Sequence, residues 1–248
     1  MTLPYRRPWG VLDRRLRTHV ALAAACLICS AASQAEEPLV PGAPTATSSA
    51  IPESEEGWQI LEKGPVRIRA KARPGAQLPE MWVTATTSAS VATVQEVLLD
   101  FTRFPQFMPY IVEARFVGEA DKDGSRHVYA RINPPVVTPR DYVARGWSDR
   151  LVNPDGSGEF RTHWVAAEGI LPPQRGIVRL PKNEGVWHVF KGPDGATVIH
   201  YRGFVDPGGW IPGWLADLGN RSAVSDEIKA VVSESGRRAR DAGASNPR

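Results

Sequence analysis

The stretch DPGGWIPGWLADLGNRSAVSDEIKAVV, residues 206–232, decides the fold. Pro207, Gly208 and Gly209 end whatever precedes them. Beyond them Trp214, Leu215, Leu218, Val224, Ile228, Val231 and Val232 fall mostly on one face of a helix of about 25 residues. Such a stripe must be buried against something. Upstream, residues 112–205 read as a strand meander with turns at Asp121-Lys122-Asp123-Gly124, Asn153-Pro154-Asp155-Gly156 and Gly192-Pro193-Asp194-Gly195. The strand runs are Arg126–Ile132, Tyr142–Asp149, Phe160–Val165, Gly176–Leu180, Val186–Phe190 and Thr197–Phe204. The concave face of one curved sheet is the available partner for the helix.

Further towards the N-terminus, Val66, Ile68 and Ala70 alternate with Arg67, Arg69 and Lys71, and residues 81–87 alternate again. Both segments predict half-buried strands. The period then changes. Ser90 is a helix N-cap, and Val91, Val94, Val97, Leu98 and Phe101 recur at steps of three and four. Arg103-Phe104-Pro105 closes that helix, and Phe107, Met108 and Ile111 make a short apolar turn. The order of two strands, a helix, many antiparallel strands and a closing helix defines an α+β fold. The spacing predicts one domain over 58–236, a flexible Pro/Ser/Thr/Glu linker over 36–57 and a disordered tail over 237–248.

The chain has 248 residues, a formal charge of +3, 42% hydrophobic residues and 22 each of Gly and Pro. The positive balance is local. Arg6, Arg7, Arg14, Arg15 and Arg17 precede the apolar run 20–32, and Ser33-Gln34-Ala35 places small residues at a cleavage boundary. Residues 1–35 are therefore expected to be a secretory signal peptide. The 13-residue run is too short to span a membrane, which takes roughly 20. Ala23-Ala24-Ala25 lacks the Leu expected at −3 of a lipoprotein cut before Cys26. The remainder carries a formal charge of −1, so a nucleic-acid partner is not expected. Both cysteines, Cys26 and Cys29, leave with the signal. A cysteine-free exported chain suits an oxidising compartment, and a bacterial periplasm is the expected location.

The chemistry-bearing patterns are sparse. There is no G-x-S-x-G elbow, Walker loop, G-x-G-x-x-G or H-E-x-x-H. No histidine stands at ligand spacing from another His or Cys, so neither a metal nor a cofactor is expected. His163 and His200 lie on strands and have two readings, into a cavity or into the sheet surface. Trp147, Trp164, Trp187, Tyr201, Trp210 and Trp214 cluster in the second half of the chain. They read either as core or as the lining and rim of an apolar pocket. Trp210 and Trp214 flank a Gly/Pro turn, the setting of a gate or a membrane-touching loop.

Four segments carry a family resemblance. Residues 134–143 (PPVVTPRDYV) resemble the Pro-rich loop and Arg-Asp-aromatic-Val strand of START domains, the StAR-related lipid-transfer family. Residues 104–111 (FPQFMPYI) are similar to the turn after that family's second helix. Residues 172–179 (PPQRGIVR) resemble its P-P-x-x-G-x-V-R element, and 206–215 resemble its D-P-G-G-x-I-P-x-W-L lead into the closing helix. The resemblance runs in order over residues 58–236. It implies the helix-grip fold, an apolar cavity between sheet and closing helix, one bound lipid and transfer without chemistry. Some sterol-binding members carry a second cavity Arg six residues after the Arg of the Arg-Asp pair. Here that position is Gly146, and Arg145 is on the other strand face, so a steroid is not carried over. A phospholipid, fatty acid, polyketide or hopanoid-type lipid stays open.

On this reading the ligand is lined by Tyr142, His163, Trp187, Tyr201, Leu218, Val224 and Ile228, with Trp210 and Trp214 at a membrane-facing entrance. The expected protein is a monomer that touches membranes transiently. Arg140 and Asp141 are expected to be structural. The rival expectations are a cavity enzyme of the cyclase or hydrolase type, with His163 or Tyr142 as acid or base, and a non-transferring lipid sensor.

Overall fold

The computed structural model describes residues 49–135, 137–209, 211 and 213–244, with the side chains of 213–220 excepted. The chain divides into two units, residues 1–41 and 42–248, and all described residues belong to the second.

Ten strands form one sheet among the described residues: β1 (Gln59–Glu62), β2 (Val66–Lys71), β3 (Glu80–Thr87), β4 (Ile111–Val117), β5 (Arg126–Ile132), β6 (Arg140–Arg150), β7 (Phe160–Ala166), β8 (Val178–Arg179), β9 (Lys182–Lys191) and β10 (Thr197–Asp206). The main order is β1-β2-β3-β10-β9-β7-β6-β5-β4, antiparallel throughout, with β8 beside β6 in parallel. Three helices accompany it: α1 (Val91–Leu99), α2 (Phe104–Phe107) and α3 (Gly213–Ala244), with a 3₁₀ turn at Phe101–Arg103. Ser90 caps α1 by accepting the Thr93 amide at 3.0 Å, as its sequence position predicts.

The core fills the space between the sheet and α1 and α3. Val66, Ile68, Met81, Val83, Ala85, Phe160, Trp187, Val189, Ile199 and Tyr201 come from the sheet. Val91, Val94, Val97 and Leu98 of α1 and Val224, Ile228 and Val231 of α3 complete it. Burying Ile228 and Val231 completely contributes roughly 1.5–3 kcal/mol each.

Two boundaries differ from the sequence reading. Residues 49–57, read as linker, lie on the sheet: Ala50 is buried, Arg202 donates to the Ser49 carbonyl at 3.3 Å, and Arg69 pairs with Glu55 at 3.3 Å. Small polar residues look like linker in sequence, but their backbone carbonyls satisfy cations that the strands project. Residues 237–244, read as disordered tail, continue α3. Arg237 and Arg238 bind Glu234, and Arg238 reaches Asp100 at 2.9 Å, which holds the last turns of the helix.

Candidate functional site

Residues directly paired across antiparallel strands share a face. Gly146, Trp164, Gly185, Gly203 and Met81 pair in series across β6, β7, β9, β10 and β3. Met81 belongs to the core, so this row lies on the concave face under the helices. The next row on the same face contains Trp187, Tyr201 and Val83.

The glycines shape this floor. A Cβ at Gly185 would come within 2.4 Å of the Trp164 ring, and one at Gly203 within 2.4 Å of the Tyr201 hydroxyl. Two large rings can therefore lie down on the strands instead of standing off them. Trp187 meets Tyr201 edge-on at 4.8 Å, and Trp164 lies 5.8 Å from it. The Trp164 indole donates to Asn183 Oδ1 at 2.9 Å. The result is an aromatic platform facing Val224 and Ile228 of α3.

Tyr142 occupies the same face, at the same parity on β6 as Gly146. It keeps part of its surface accessible, yet burial pushes its phenol well up, with the Glu227 charge adding to the shift. Glu227 shows the same pair of properties. It retains some accessible surface, while loss of water raises its carboxyl from 4.5 to about 7. The Tyr201 phenol is raised by burial, then by Glu227 and Tyr142, so the three groups lie within electrostatic reach of each other.

The structure thus brings together five of the expected residues: Tyr142, Trp187, Tyr201, Val224 and Ile228. His163 does not join them. It pairs with Trp147 and Val186 on the outer face, stacks on Trp147 at 5.2 Å and lies 3.3 Å from Asp149. One residue of register separates it from Trp164, and that step reverses the face. His200 is also on the outer face, between Trp82 and Phe190, and burial lowers its pKa to about 4. Trp210 lies outside the described residues, as do the side chains of Trp214 and Leu218. Among the described residues no cluster of His, Cys, Asp or Glu could hold a metal.

Two participants went unread in the sequence. Trp164 was one aromatic among six, and only the glycine row shows why it lies flat. Glu227 was passed over in an apolar stripe. Its signal was present: its neighbours at three and four residues, Ala223, Val224, Ala230 and Val231, are all apolar.

The segments at the Tyr142 end of the sheet interlock. Arg179 binds Asp141 through two bonds, 2.7 and 3.1 Å, and also donates to the Leu171 carbonyl at 3.1 Å. Gly208, at φ +59°, sits so close to Pro181 and Val178 that a Cβ would meet them at 3.0 and 3.2 Å. The Tyr110 carbonyl accepts the Asn133 amide at 2.8 Å. The four segments read as motifs therefore meet at one end of the sheet, where α3 also begins.

No family model matches the chain. An uncharacterized protein of Pseudomonas aeruginosa is 24% identical over 185 residues, covering 74% of this chain and 89% of the relative. A StAR-related lipid transfer protein from Xanthomonas axonopodis superposes with a TM-score of 0.62 at 24% identity, over 73% of this chain and 99% of that one. Human StAR-related lipid transfer protein 5 gives 0.64 at 13% identity, over 75% and 89%. The architecture is the helix-grip fold of START domains: a curved antiparallel sheet gripping a C-terminal helix.

Proposed function

We propose that this protein holds one lipid, or another apolar small molecule, between the concave sheet face and α3, and carries it through water unaltered. The observation that carries this reading is the aromatic platform beneath Val224 and Ile228, where the Trp164 and Tyr201 rings lie on Gly185 and Gly203 and Trp187 meets Tyr201 edge-on. Burial of apolar ligand surface, at roughly 25 cal/mol per Å² before association costs, supplies the driving force. The names of the solved neighbours, lipid transfer proteins, point the same way. In this reading residues 1–35 direct a monomeric protein to the periplasm, and Trp210 and Trp214 touch the membrane.

Native mass spectrometry of protein purified from its own host, followed by vesicle-to-vesicle transfer of a fluorescent lipid, tests the proposal. A bound lipid and protein-dependent transfer are expected. Leu218→Asp should reduce loading, and Trp210→Ala should slow transfer more than it weakens binding. A wild-type protein that takes up no apolar molecule removes the reading.

One feature favours a cavity enzyme instead: a carboxyl titrating near neutrality beside two phenols. His163, on the outer face, is not placed for that role. Recovering the loaded molecule with its mass unchanged after prolonged incubation is the outcome expected of a carrier; a changed mass would favour the enzyme.

A further inference from the structure

We infer that Glu227 anchors the polar head of the ligand, and that this head is a hydrogen-bond donor, an amine or a hydroxyl, not a carboxylate or phosphate. The inference rests on the lipid-binding reading above and specifies which ligands the cavity selects.

The geometry begins with α3. Val224, Ile228 and Val231 face the sheet and are buried. Glu227 lies three residues after Val224 and four before Val231, on that same stripe. On the sheet, Tyr142 and Tyr201 are both on the concave face by register, and the Glu227 charge acts on both phenols. The Tyr201 hydroxyl is held over Gly203. Among the described residues none of these three polar groups makes a hydrogen bond or ion pair with the protein. Each keeps hydrogen-bonding capacity that the protein does not use, and a ligand head would satisfy it.

The same helix shows what a structural buried acid looks like. Glu234, seven residues on, is also buried, but it accepts from Arg237 at 2.6 and 2.7 Å and from Arg238 at 2.8 Å. Among the described residues Glu227 has no such cation. The carboxylate is acceptor-only when ionised, so it selects a donor head, most strongly a cationic one. It repels an anionic one. Two arginines on this face would argue for an anion. Arg140, two residues from Tyr142, is buried with an unpartnered Nε and donates through its guanidinium to the Thr138 carbonyl. The other, Arg126, lies farther along the sheet. It pairs with Gly146 on the same face, its guanidinium lies 3.8 Å over Phe116, and its Nε is buried without a partner. It stands four residues along β6 from the row of Tyr142, roughly 13 Å at 3.3 Å per residue. The Arg126 and Glu227 charges therefore do not share one head-group position.

The test is displacement of the neutral probe N-phenyl-1-naphthylamine at pH 8 by dodecylamine, dodecanol and laurate, which share one chain length. Wild-type protein should release the probe to dodecylamine at concentrations at least tenfold below those of laurate, with dodecanol between them. Glu227→Gln, nearly isosteric, should still bind the probe and lose the tenfold preference. Glu227→Leu, checked for its fold by circular dichroism, should remove it as well. Laurate displacing as well as dodecylamine from the wild type, or an unchanged order in both folded variants, overturns the anchor. A wild type that binds neither the probe nor any of the three chains fails at the earlier step and overturns the lipid-binding reading itself.

Discussion

Glu227 and Glu234 lie seven residues apart on α3 and titrate in opposite directions. Hydrogen bonds from Arg237 hold Glu234 down at about 2 against the opposing effect of its burial, with Arg238 adding to them. Burial alone lifts Glu227 from 4.5 to about 7. Position on the stripe does not distinguish them; the presence of Arg237 and Arg238 one turn beyond Glu234 does. The stability consequence of Glu227 follows by linkage. Between pH 4.5 and 7 the folded state holds a proton that the unfolded state has released, so stability falls as pH rises through this window. At 1.36 kcal/mol per unit the loss is roughly 3 kcal/mol by pH 8. Glu227→Gln should therefore raise the melting temperature of the unliganded protein at pH 8 and leave it nearly unchanged at pH 4.5. Thermal melts at the two pH values check this. An equal shift at both would mean that the carboxyl does not titrate in this range.

At the scale of elements, the Asp141–Arg179 pair ties β6 to β8 at the end where α3 begins. Asp141 and Arg179 are also register partners in the parallel pairing, and the Leu180 amide donates to the Asp141 carbonyl at 2.8 Å. Asp141 is almost completely buried, while Arg179 keeps 21% of its side chain exposed. That asymmetry sets the expected cost. Arg179→Ala strands a buried carboxylate and should cost roughly 3–5 kcal/mol. Asp141→Ala leaves a guanidinium that can turn to water and should cost less. Urea denaturation of both variants measures the difference. Equal costs would mean that the two side chains are equally solvated. The pairing was not legible in the sequence. Both residues stood in recognised segments, but nothing in a linear pattern said that Asp141 would meet Arg179 across 38 residues. The helix cap at Ser90 was legible, because its partner is only three residues away.

At the scale of the whole molecule, the domain begins earlier and ends later than composition indicates. Residues 49–57 close over the outer face beside Arg69 and Arg202, and Trp58 meets Trp82 edge-on at 5.7 Å. A chain starting at residue 58 should melt lower than one starting at residue 49, by roughly 2–4 °C for each kcal/mol that these contacts contribute. Parallel calorimetry on the two chains decides it. Identical melting temperatures would return the segment to the role of a linker.

Local pattern was enough wherever the deciding interaction is local or periodic. The alternation of β2, the three- and four-residue steps of α1 and the stripe of α3 each report which face is apolar, and burial of that face is what drives the fold. The sequence by itself therefore determined the α+β class, the succession of strands, helix, strand meander and closing helix, and the need of the last helix for a concave partner; the short β1 carries too little alternation to be read. Only the tertiary structure decided which side chains share that concavity. A strand turns a side chain over with every residue, so His163 and Trp164, adjacent in sequence, end on opposite faces of the sheet. It also decided the charge state of Glu227, because a carboxyl's pKa depends on the water and cations around it, and those are set by packing across the molecule.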